Sequence, residues 1–260
     1  MARVINPPSS SSSPSSSSST RPTSSVPARA THPGSQARGT GHAAGLAKQS
    51  LRITEIFYSL QGEALAAGLP TTFIRLTGCP LRCRYCDTEY AFSGGERLSF
   101  DTILERVATF GAQQVCVTGG EPLAQPGCAD LVRQLCDLGY QVAVETSGAL
   151  DISVIDTRAS RIVDLKTPGS GEVTRNRLDN LQALTGHDQL KFVLCDRADF
   201  DWACSMVRQH DLTNRCTVWF SPSFGQVKLD DLAQWILQEK LPVRMQVQLH
   251  KLIWGDAPGR

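Results

Sequence analysis

Three cysteines separated by short gaps, Cys79, Cys83 and Cys86, are the residues whose types and spacing point most directly to chemistry. Thiolates are soft ligands that suit zinc, copper(I) and iron–sulfur clusters, and cysteines this close in sequence can reach one metal centre. A closed zinc site or a fully protein-bound cubane takes four protein ligands, whereas the next cysteine, Cys116, lies inside a later apolar run. The triplet therefore predicts a metal centre with one open position, which is what a catalytic site needs.

The segments around this loop alternate between strand-like and helix-like patterns. Strands are predicted over 53–59, 71–76, 115–118, 140–144, 161–165, 190–194, 217–220 and 243–249, and helices over 101–110, 129–138, 175–184, 200–209 and 229–238. Such alternation implies right-handed crossovers and a parallel sheet that is covered by helices. The sequence therefore predicts an α/β fold.

Polar and glycine residues follow these strands at the points where the strands end. They include Gln61, Glu63, Arg75, the cysteine loop, Glu121, Glu145, Lys166, Ser221 and His250. In parallel β/α barrels, active sites form at the carboxyl ends of the strands. We therefore expect these side chains to meet at one rim of the sheet.

Residues 1–50 differ in composition from the rest of the chain. They are rich in Ser, Pro, Gly, Ala and Thr, and they carry five basic residues and no acidic one. Such a segment cannot bury enough apolar surface to offset chain entropy, so we expect a disordered extension. It matches an organelle transit peptide only loosely, because it lacks an amphipathic helix. Residues 51–260 are expected to form one domain.

Charge and hydropathy exclude several classes of function. Residues 51–260 carry 21 basic and 25 acidic residues, a net charge of −4, which gives no case for direct nucleic-acid binding through a basic surface. No segment approaches the ~18 apolar residues of a membrane span. The six cysteines outside the triplet are expected to be reduced thiols, several of them in apolar runs. A cytoplasmic location is therefore expected.

The cysteine triplet, with Tyr85 before its last cysteine, and Gly119-Gly120-Glu121-Pro122 after the next strand together resemble the motifs of radical SAM enzymes. The resemblance covers the chain from about residue 52 onward and implies a partial, incomplete TIM-type β/α barrel. In that family three thiolates hold a [4Fe–4S] cluster, and S-adenosylmethionine chelates the open iron. An electron from the cluster, supplied by a donor such as flavodoxin or ferredoxin, yields a 5′-deoxyadenosyl radical.

A narrower resemblance is to the 7-carboxy-7-deazaguanine synthases. It rests on residues 57–63 (FYSLQGE), 86–88 (CDT), 118–122 (TGGEP), 145–148 (ETSG) and 248–251 (QLHK). It implies a lyase that converts 6-carboxy-5,6,7,8-tetrahydropterin to 7-carboxy-7-deazaguanine and ammonia, with magnesium, in the biosynthesis of queuosine-type tRNA nucleosides. The radical would take hydrogen from carbon 6 before the ring contracts. The resemblance also implies a homodimer.

The resemblance assigns roles to residues of this chain. The cluster would be held by Cys79, Cys83 and Cys86, and magnesium would touch Thr88. S-adenosylmethionine would be bound by Tyr85, Cys86, Asp87, Gly119, Gly120, Glu121, Glu145, Ser147, Lys166, Ser221 and Pro222. The substrate would be bound by Leu60, Gln61, Gly62, Glu63, Arg75, Thr118 and His250. These types suit the tasks, because glycines allow close backbone approach, amides and carboxylates read a pterin edge, and arginine pairs with carboxylates.

Two departures from the family pattern leave contacts open. Some relatives end at a proline whose carboxylate touches the substrate, whereas this chain ends in Pro258-Gly259-Arg260. The segment 164–168 (DLKTP) also differs from the Ser-Pro-Lys version of some relatives, so the register of that cofactor contact stays open. Two other functions remain as alternatives: a radical SAM activase that acts on a protein partner, and a non-catalytic zinc or iron–sulfur binding module.

Overall fold

The computed structural model describes residues 49–255, 257 and 259. Residues 1–48 of the extension expected over residues 1–50 lie outside the described residues. The described strands are β1 (Ser50–Leu60), β2 (Pro70–Leu76), β3 (Glu96–Ser99), β4 (Gln114–Gly119), β5 (Gln141–Thr146), β6 (Ser160–Asp164), β7 (Gln189–Leu194), β8 (Thr217–Pro222) and β9 (Arg244–Met245). The described α-helices are α1 (Phe100–Phe110), α2 (Cys128–Asp137), α3 (Asn180–Ala183), α4 (Arg197–Gln209), α5 (Leu229–Glu239) and α6 (Leu249–Trp254). None of these helices is long and apolar enough to cross a membrane.

The nine described strands form one sheet in the order β3-β1-β2-β4-β5-β6-β7-β8-β9. β1 is antiparallel to β2 and β3, and every neighbouring pair from β2 to β9 is parallel. The predicted α/β fold is confirmed. The sheet is open, with β3 and β9 at its edges, which agrees with an incomplete barrel.

Alternating side chains on each strand separate the core from the site, because successive strand residues point to opposite faces. On β7, Phe192 belongs to the buried apolar core, whereas Lys191 and Val193 line a cavity on the other face. On β6, Val163 belongs to the core and Asp164 lines the cavity. The same strands therefore stabilise the fold and present polar groups to a ligand.

Aromatic side chains fix the helices α4 and α5 against this sheet. The rings of Phe192 and Phe220 on β7 and β8 lie edge-to-face, with centroids 5.5 Å apart. Phe200 of α4 lies 5.5 Å from Phe220, and Trp235 of α5 lies 5.5 Å from Phe200. Aromatic pairs in this geometry contribute beyond their buried area, so these contacts hold the strands that carry the site.

The helix predicted over 175–184 is wrong over most of its length, since only Asn180–Ala183 is α-helical. The side chain of Asn176 instead bonds the N–H and the C=O of Lys166, at 2.9 and 2.8 Å. Asn180 donates to two carbonyls in the loop after β5, at 2.9 and 2.8 Å. Asparagine side chains that bond the backbone compete with helix formation, and here they brace loops at the strand ends.

The last strand, predicted over 243–249, is much shorter than expected. β9 keeps only two residues, and the chain enters α6 at Leu249. Gln246 and Gln248 donate to the carboxylate of Glu63, at 3.2 and 2.8 Å. These bonds tie the segment that follows β9 to Glu63 at the cavity wall.

A buried ion pair at the amino ends of the strands should be important for stability. Arg161 donates to both carboxylate oxygens of Asp188, at 2.8 and 2.5 Å, and their side chains are 7% and 1% exposed. Removing one partner of such a pair typically costs about 3–5 kcal/mol. We expect Asp188→Asn to lower the free energy of unfolding by about that amount in chemical denaturation.

The matched control is Asp137→Asn, which breaks an exposed pair with Arg158 and should change stability little. Burial opposes the charge of Asp188, but the Arg161 guanidinium and backbone amides bond the carboxylate and lower its pKa. Its stabilisation is thus complete above the unfolded pKa, about 3.9, and is lost as pH falls through the lower folded value. An equal effect of both substitutions would contradict this account.

Candidate active site

A cavity of 520 Å³ opens at the carboxyl ends of the parallel strands. This is where parallel α/β enzymes commonly hold their ligands, and the volume suits a small molecule. The predicted site residues that line the cavity are Leu60, Gln61, Gly62, Glu63, Arg75, Cys79, Cys83, Tyr85, Cys86, Asp87, Thr88, Thr118, Gly119, Gly120, Glu145, Ser147, Lys166 and His250. Glu121 and Ser221 are buried outside the lining, and so is Pro222.

The cysteine loop is braced by its two arginines. The N–H of Arg84 donates to the carbonyl of Ser170 at 3.0 Å, which joins the loop to the turn after β6. The guanidinium of Arg82 donates to the carbonyl of Cys79 at 2.8 Å and lies over the ring of Phe92, 4.2 Å from its centroid. The backbone that carries the three thiols is therefore held in place by the protein itself.

Gly120 lets the loop after β4 approach the cysteine loop closely. A Cβ atom at this position would lie 2.4 Å from the carbonyl oxygen of Gly78 and 2.8 Å from the Cβ of Cys79. The neighbouring N–H of Glu121 donates to that same Gly78 carbonyl at 2.8 Å. Any side chain at position 120 would push the two loops apart. Glycine is therefore required because the loops are in contact here, and not because of its backbone dihedral angles.

The carboxylate of Glu121 is fully buried and is occupied by the protein. It accepts hydrogen bonds from the hydroxyl of Thr146 at 2.8 Å, from the N–H and hydroxyl of Ser147 at 2.6 and 2.5 Å, and from the N–H of Leu123 at 2.9 Å. The carboxylate thus ties the loop after β4 to the end of β5. Its geometry suits a positioning residue for Gly119 and Gly120, which line the cavity.

The three thiols line one wall of the cavity and are half-buried. Burial raises the pKa of Cys79, Cys83 and Cys86, while the Lys166 ammonium opposes the rise. Metal coordination deprotonates such thiols outright. Among the described residues, no three Cys, His, Asp or Glu side chains converge tightly enough to hold a single metal ion. Three soft thiolates on one cavity wall are a donor set that suits an iron–sulfur cluster.

Two buried polar atoms beside the cysteine loop lack protein partners within the described residues. They are the hydroxyl of Tyr85 and the Oδ1 atom of Asp164. The Lys166 ammonium lies 5.6 Å from the centroid of the Tyr85 ring and 3.0 Å from Asp164 Oδ2. Buried polar atoms are normally satisfied, so this corner fits a ligand with hydroxyl and amino groups, as S-adenosylmethionine has.

At the other end of the cavity, Glu145 joins two residues that were predicted to bind substrate. Gln61 donates to Glu145 Oε1 at 3.2 Å, and the hydroxyl of Thr118 donates to Oε2 at 3.0 Å. The carbonyl oxygen of the Gln61 side chain also accepts from the N–H of Gly62 at 2.8 Å. Glu145 was predicted to contact the cofactor, and here its carboxylate accepts from two residues that were predicted to bind the substrate.

Glu63 is buried among three donors that were assigned no role from the sequence. Lys191 donates to Glu63 Oε2 at 2.6 Å, and Gln246 and Gln248 complete the set. Burial opposes the charge, but the Lys191 ammonium outweighs it and holds the pKa of Glu63 below its ordinary value. Lys191 sits in the interior of a strand, so only its alternation with core residues could have indicated that it faces the cavity.

Arg75, on β2, is held from behind by residues that were not predicted. Its Nε atom donates to Glu55 at 2.7 Å, and the hydroxyl of Tyr90 donates to the same carboxylate at 2.8 Å. The guanidinium carbon lies 5.7 Å from the centroid of the Phe57 ring. These contacts orient a cation in the cavity wall where it can meet a carboxylate.

His250 and Gly62 are in direct contact, which brings the first and last predicted substrate segments together. A Cβ atom on Gly62 would lie 2.1 Å from Nδ1 of His250, and the N–H of Leu249 donates to the Gly62 carbonyl at 3.0 Å. We expect Gly62→Ala to displace the His250 ring and to raise the KM for the substrate, while the protein stays folded.

The control for this substitution is Gly186→Ala, because no atom lies within 4 Å of the added methyl group there. Steady-state kinetics and thermal unfolding of both variants would test the expectation. An unchanged KM in Gly62→Ala would mean that His250 makes no contact with the substrate.

Asp87 and Thr88 place oxygen atoms on the cavity wall directly after the cysteines. The hydroxyl of Thr88 donates to Asp87 Oδ1 at 2.7 Å, and Lys251 of α6 lies 3.5 Å from Oδ2. Burial opposes the charge of Asp87, but the Thr88 hydroxyl and the Lys251 ammonium lower its pKa. The C-terminal segment is thereby connected to the cysteine loop.

The structure places Ser223, rather than Ser221 or Pro222, at the cavity wall. Ser221 and Pro222 are the last residues of β8 and pair with Val193 and Leu194 of β7. The N–H of Ser223 donates to the carbonyl of Leu194 at 2.8 Å. The strand end thus places a serine at the cavity wall two residues after Ser221.

The family model described as Radical SAM superfamily matches residues 73–167, and the open β/α sheet and the cysteine-lined cavity agree with this class of enzyme. The chain is 46% identical to the 7-carboxy-7-deazaguanine synthase of Chlorobaculum tepidum, over 80% of this chain and 97% of that protein. It is 38% identical to the enzyme of that name from Methanospirillum hungatei, over 83% and 91%. The chain therefore belongs to the 7-carboxy-7-deazaguanine synthase family.

A solved structure supports the fold independently. The crystal structure of QueE from Escherichia coli superposes with a TM-score of 0.65, covering 82% of this chain and 100% of that chain at 22% identity. At this identity the likeness concerns the fold alone. It agrees with the open sheet seen here.

Proposed function

We propose that this chain converts 6-carboxy-5,6,7,8-tetrahydropterin to 7-carboxy-7-deazaguanine with release of ammonia. The observation that carries the proposal is that one cavity joins the cysteine loop to the set Gln61, Glu63, Arg75 and His250. That set offers an amide, a carboxylate, a guanidinium and an imidazole, which match a pterin with a carboxylate substituent. A cavity of 520 Å³ favours such a small molecule over the protein partner of an activase.

The cofactor end of the cavity is proposed to hold a [4Fe–4S] cluster on Cys79, Cys83 and Cys86, with S-adenosylmethionine beside it. When bound, these groups supply the one-electron chemistry that removes a hydrogen atom from the substrate. Gly119 and Gly120 provide the surface for close approach, and Tyr85, Asp164 and Lys166 provide polar contacts. Glu121 fixes this surface from behind through Thr146 and Ser147.

The protein's own contribution to the reaction is binding, orientation and exclusion of water. Arg75, backed by Glu55, would pair with the substrate carboxylate. Glu63 would accept hydrogen bonds from the pterin edge, and Gln61 would donate one to it. Together they would hold the ring in one orientation. Fixing the reacting carbon against the cofactor in this way is how positioning contributes to rate.

The remaining proposals concern magnesium, assembly and location. Thr88 is proposed to contact Mg²⁺ together with the substrate, supported by its hydroxyl and the Asp87 carboxylate on the cavity wall and by the preference of Mg²⁺ for oxygen ligands. We also propose that the enzyme is a cytoplasmic homodimer and that flavodoxin or ferredoxin reduces it. The dimer and the reductant follow from the sequence resemblance, and the location follows from the expected reduced thiols.

An anaerobic preparation tests the enzyme class. The account predicts a brown protein with about four irons per chain and release of 5′-deoxyadenosine that requires a reductant and is increased by the pterin. A colourless zinc protein would support the binding module. Release that depends on an added protein instead of the pterin would support an activase.

A further inference from the structure

Lys191 is a buried cation that the sequence did not mark as functional. It lies on β7 directly beside Asp164 of β6 in the parallel register, and its side chain is 13% exposed. Its flanking residues, Leu190 and Phe192, are fully buried in the core. A lysine is almost never buried without paired acids, so its partners indicate why it is there.

Those partners form a chain of alternating charges across the cavity. The Lys191 ammonium lies 2.6 Å from Glu63 Oε2 and 3.7 Å from Asp164 Oδ2. Asp164 Oδ2 in turn lies 3.0 Å from the Lys166 ammonium. The chain runs from the proposed substrate end at Glu63 to the proposed cofactor end at Lys166.

Glu63 depends on this cation because its other polar neighbours are neutral amides or an acid of like charge. Gln246 and Gln248 face it from the C-terminal segment, Asp164 faces it from β6 with like charge, and the His250 ring lies against the adjacent Gly62. Burial alone would favour the protonated acid, and the nearby acid would add to that effect. Lys191 is the cation within hydrogen-bond distance of the carboxylate.

We propose that Lys191 is a positioning residue that keeps Glu63 ionised and oriented to accept hydrogen bonds from the N–H edge of the pterin substrate. The pterin ring presents an amide N–H and an amino group, so the complementary protein group must be an acceptor. A protonated Glu63 would present an O–H to those donors, and a neutral carboxyl that turned away would leave them unpaired. This role rests on the proposed function of the cavity.

The test uses the holoenzyme with S-adenosylmethionine but without reductant, so that the pterin binds and no turnover occurs. We expect Lys191→Met to weaken pterin binding in anaerobic equilibrium dialysis at pH 7 by about tenfold or more. The loss should shrink as pH rises, because Glu63 then ionises without its partner. His250 and Asp164 are present in both proteins, so the ratio of wild-type to variant affinity isolates the effect of Lys191 on Glu63. Lys240→Gln, at an exposed lysine, is the control and should bind normally.

A double-mutant cycle separates action through Glu63 from direct contact with the substrate. If Lys191 acts through Glu63, adding Lys191→Met to Glu63→Gln should change the affinity by less than about twofold. The double variant also removes both charges, so it remains informative if Lys191→Met alone does not fold. The proposal would be overturned if Lys191→Met weakened pterin binding as much in the Glu63→Gln background as in the wild type. Normal pterin binding by Lys191→Met alone would also overturn it. Absence of pterin binding by the wild-type holoenzyme would instead contradict the proposed function.

Discussion

Replacing Cys83 with alanine is expected to reduce both the iron content and the formation of 5′-deoxyadenosine and deazapurine to background. The triplet is predicted to leave one metal position open already, so a site with two thiolates would lack a second ligand. Cys83 lines the cavity and is half-buried, and its backbone carbonyl accepts from the N–H of Cys86 at 3.1 Å. That backbone bond survives the substitution, so the loop should keep its conformation. Iron analysis and visible absorption would measure the effect.

The matched control is Cys136→Ala on α2, a partly buried cysteine that packs against the core. It should keep its iron and both products, because it lies outside the cavity lining. If Cys83→Ala retained a full complement of iron and released 5′-deoxyadenosine at the normal rate, the assignment of the triplet as cluster ligands would be wrong.

The substitution Gly120→Ala should have the second-largest effect, a loss of about 100-fold in kcat/KM, because small displacements of reacting groups cost this much. The added methyl group would meet the carbonyl of Gly78 and the Cβ of Cys79 at less than 3 Å. Backbone at this contact cannot yield as a flexible side chain would. The cysteine loop and the loop after β4 should therefore separate, and binding of S-adenosylmethionine to the unreduced holoenzyme should weaken.

Gly62→Ala provides the comparison, since its methyl group meets a side chain at the other end of the cavity. It should weaken binding of the pterin and leave the affinity for S-adenosylmethionine nearly unchanged. The reverse pattern, or a Gly120→Ala enzyme with normal cofactor affinity, would contradict the division of the cavity into two ends.

The strand pattern predicted most of the fold because buried parallel strands read as short apolar runs between turn residues. The short edge strand β3 was not predicted, and two other failures share a cause. Residues 175–184 and 243–249 have helical or strand-like composition, but their asparagine and glutamine side chains bond distant groups, Lys166 and Glu63. Such long-range hydrogen bonds override local propensity and leave no periodic signal in the sequence.

The residues of the candidate site could be predicted where they form contiguous sequence motifs. Residues that only hydrogen-bond to other site residues were harder to predict. The cysteine loop was found from its spacing and Gly119-Gly120 from the family resemblance, whereas Glu55 and Lys191 were missed because they are isolated charges on strands. Glu121 was found by its motif, yet its carboxylate faces Thr146 and Ser147. Motifs locate a site, but only the packed structure shows which members touch the cavity.

The most direct test of the central claim is the product formed by the reduced holoenzyme with 6-carboxy-5,6,7,8-tetrahydropterin, S-adenosylmethionine and magnesium. The account predicts 7-carboxy-7-deazaguanine by mass spectrometry, together with 5′-deoxyadenosine and ammonia. Formation of 5′-deoxyadenosine without the deazapurine would contradict it, because the cofactor end would then be active on a different substrate.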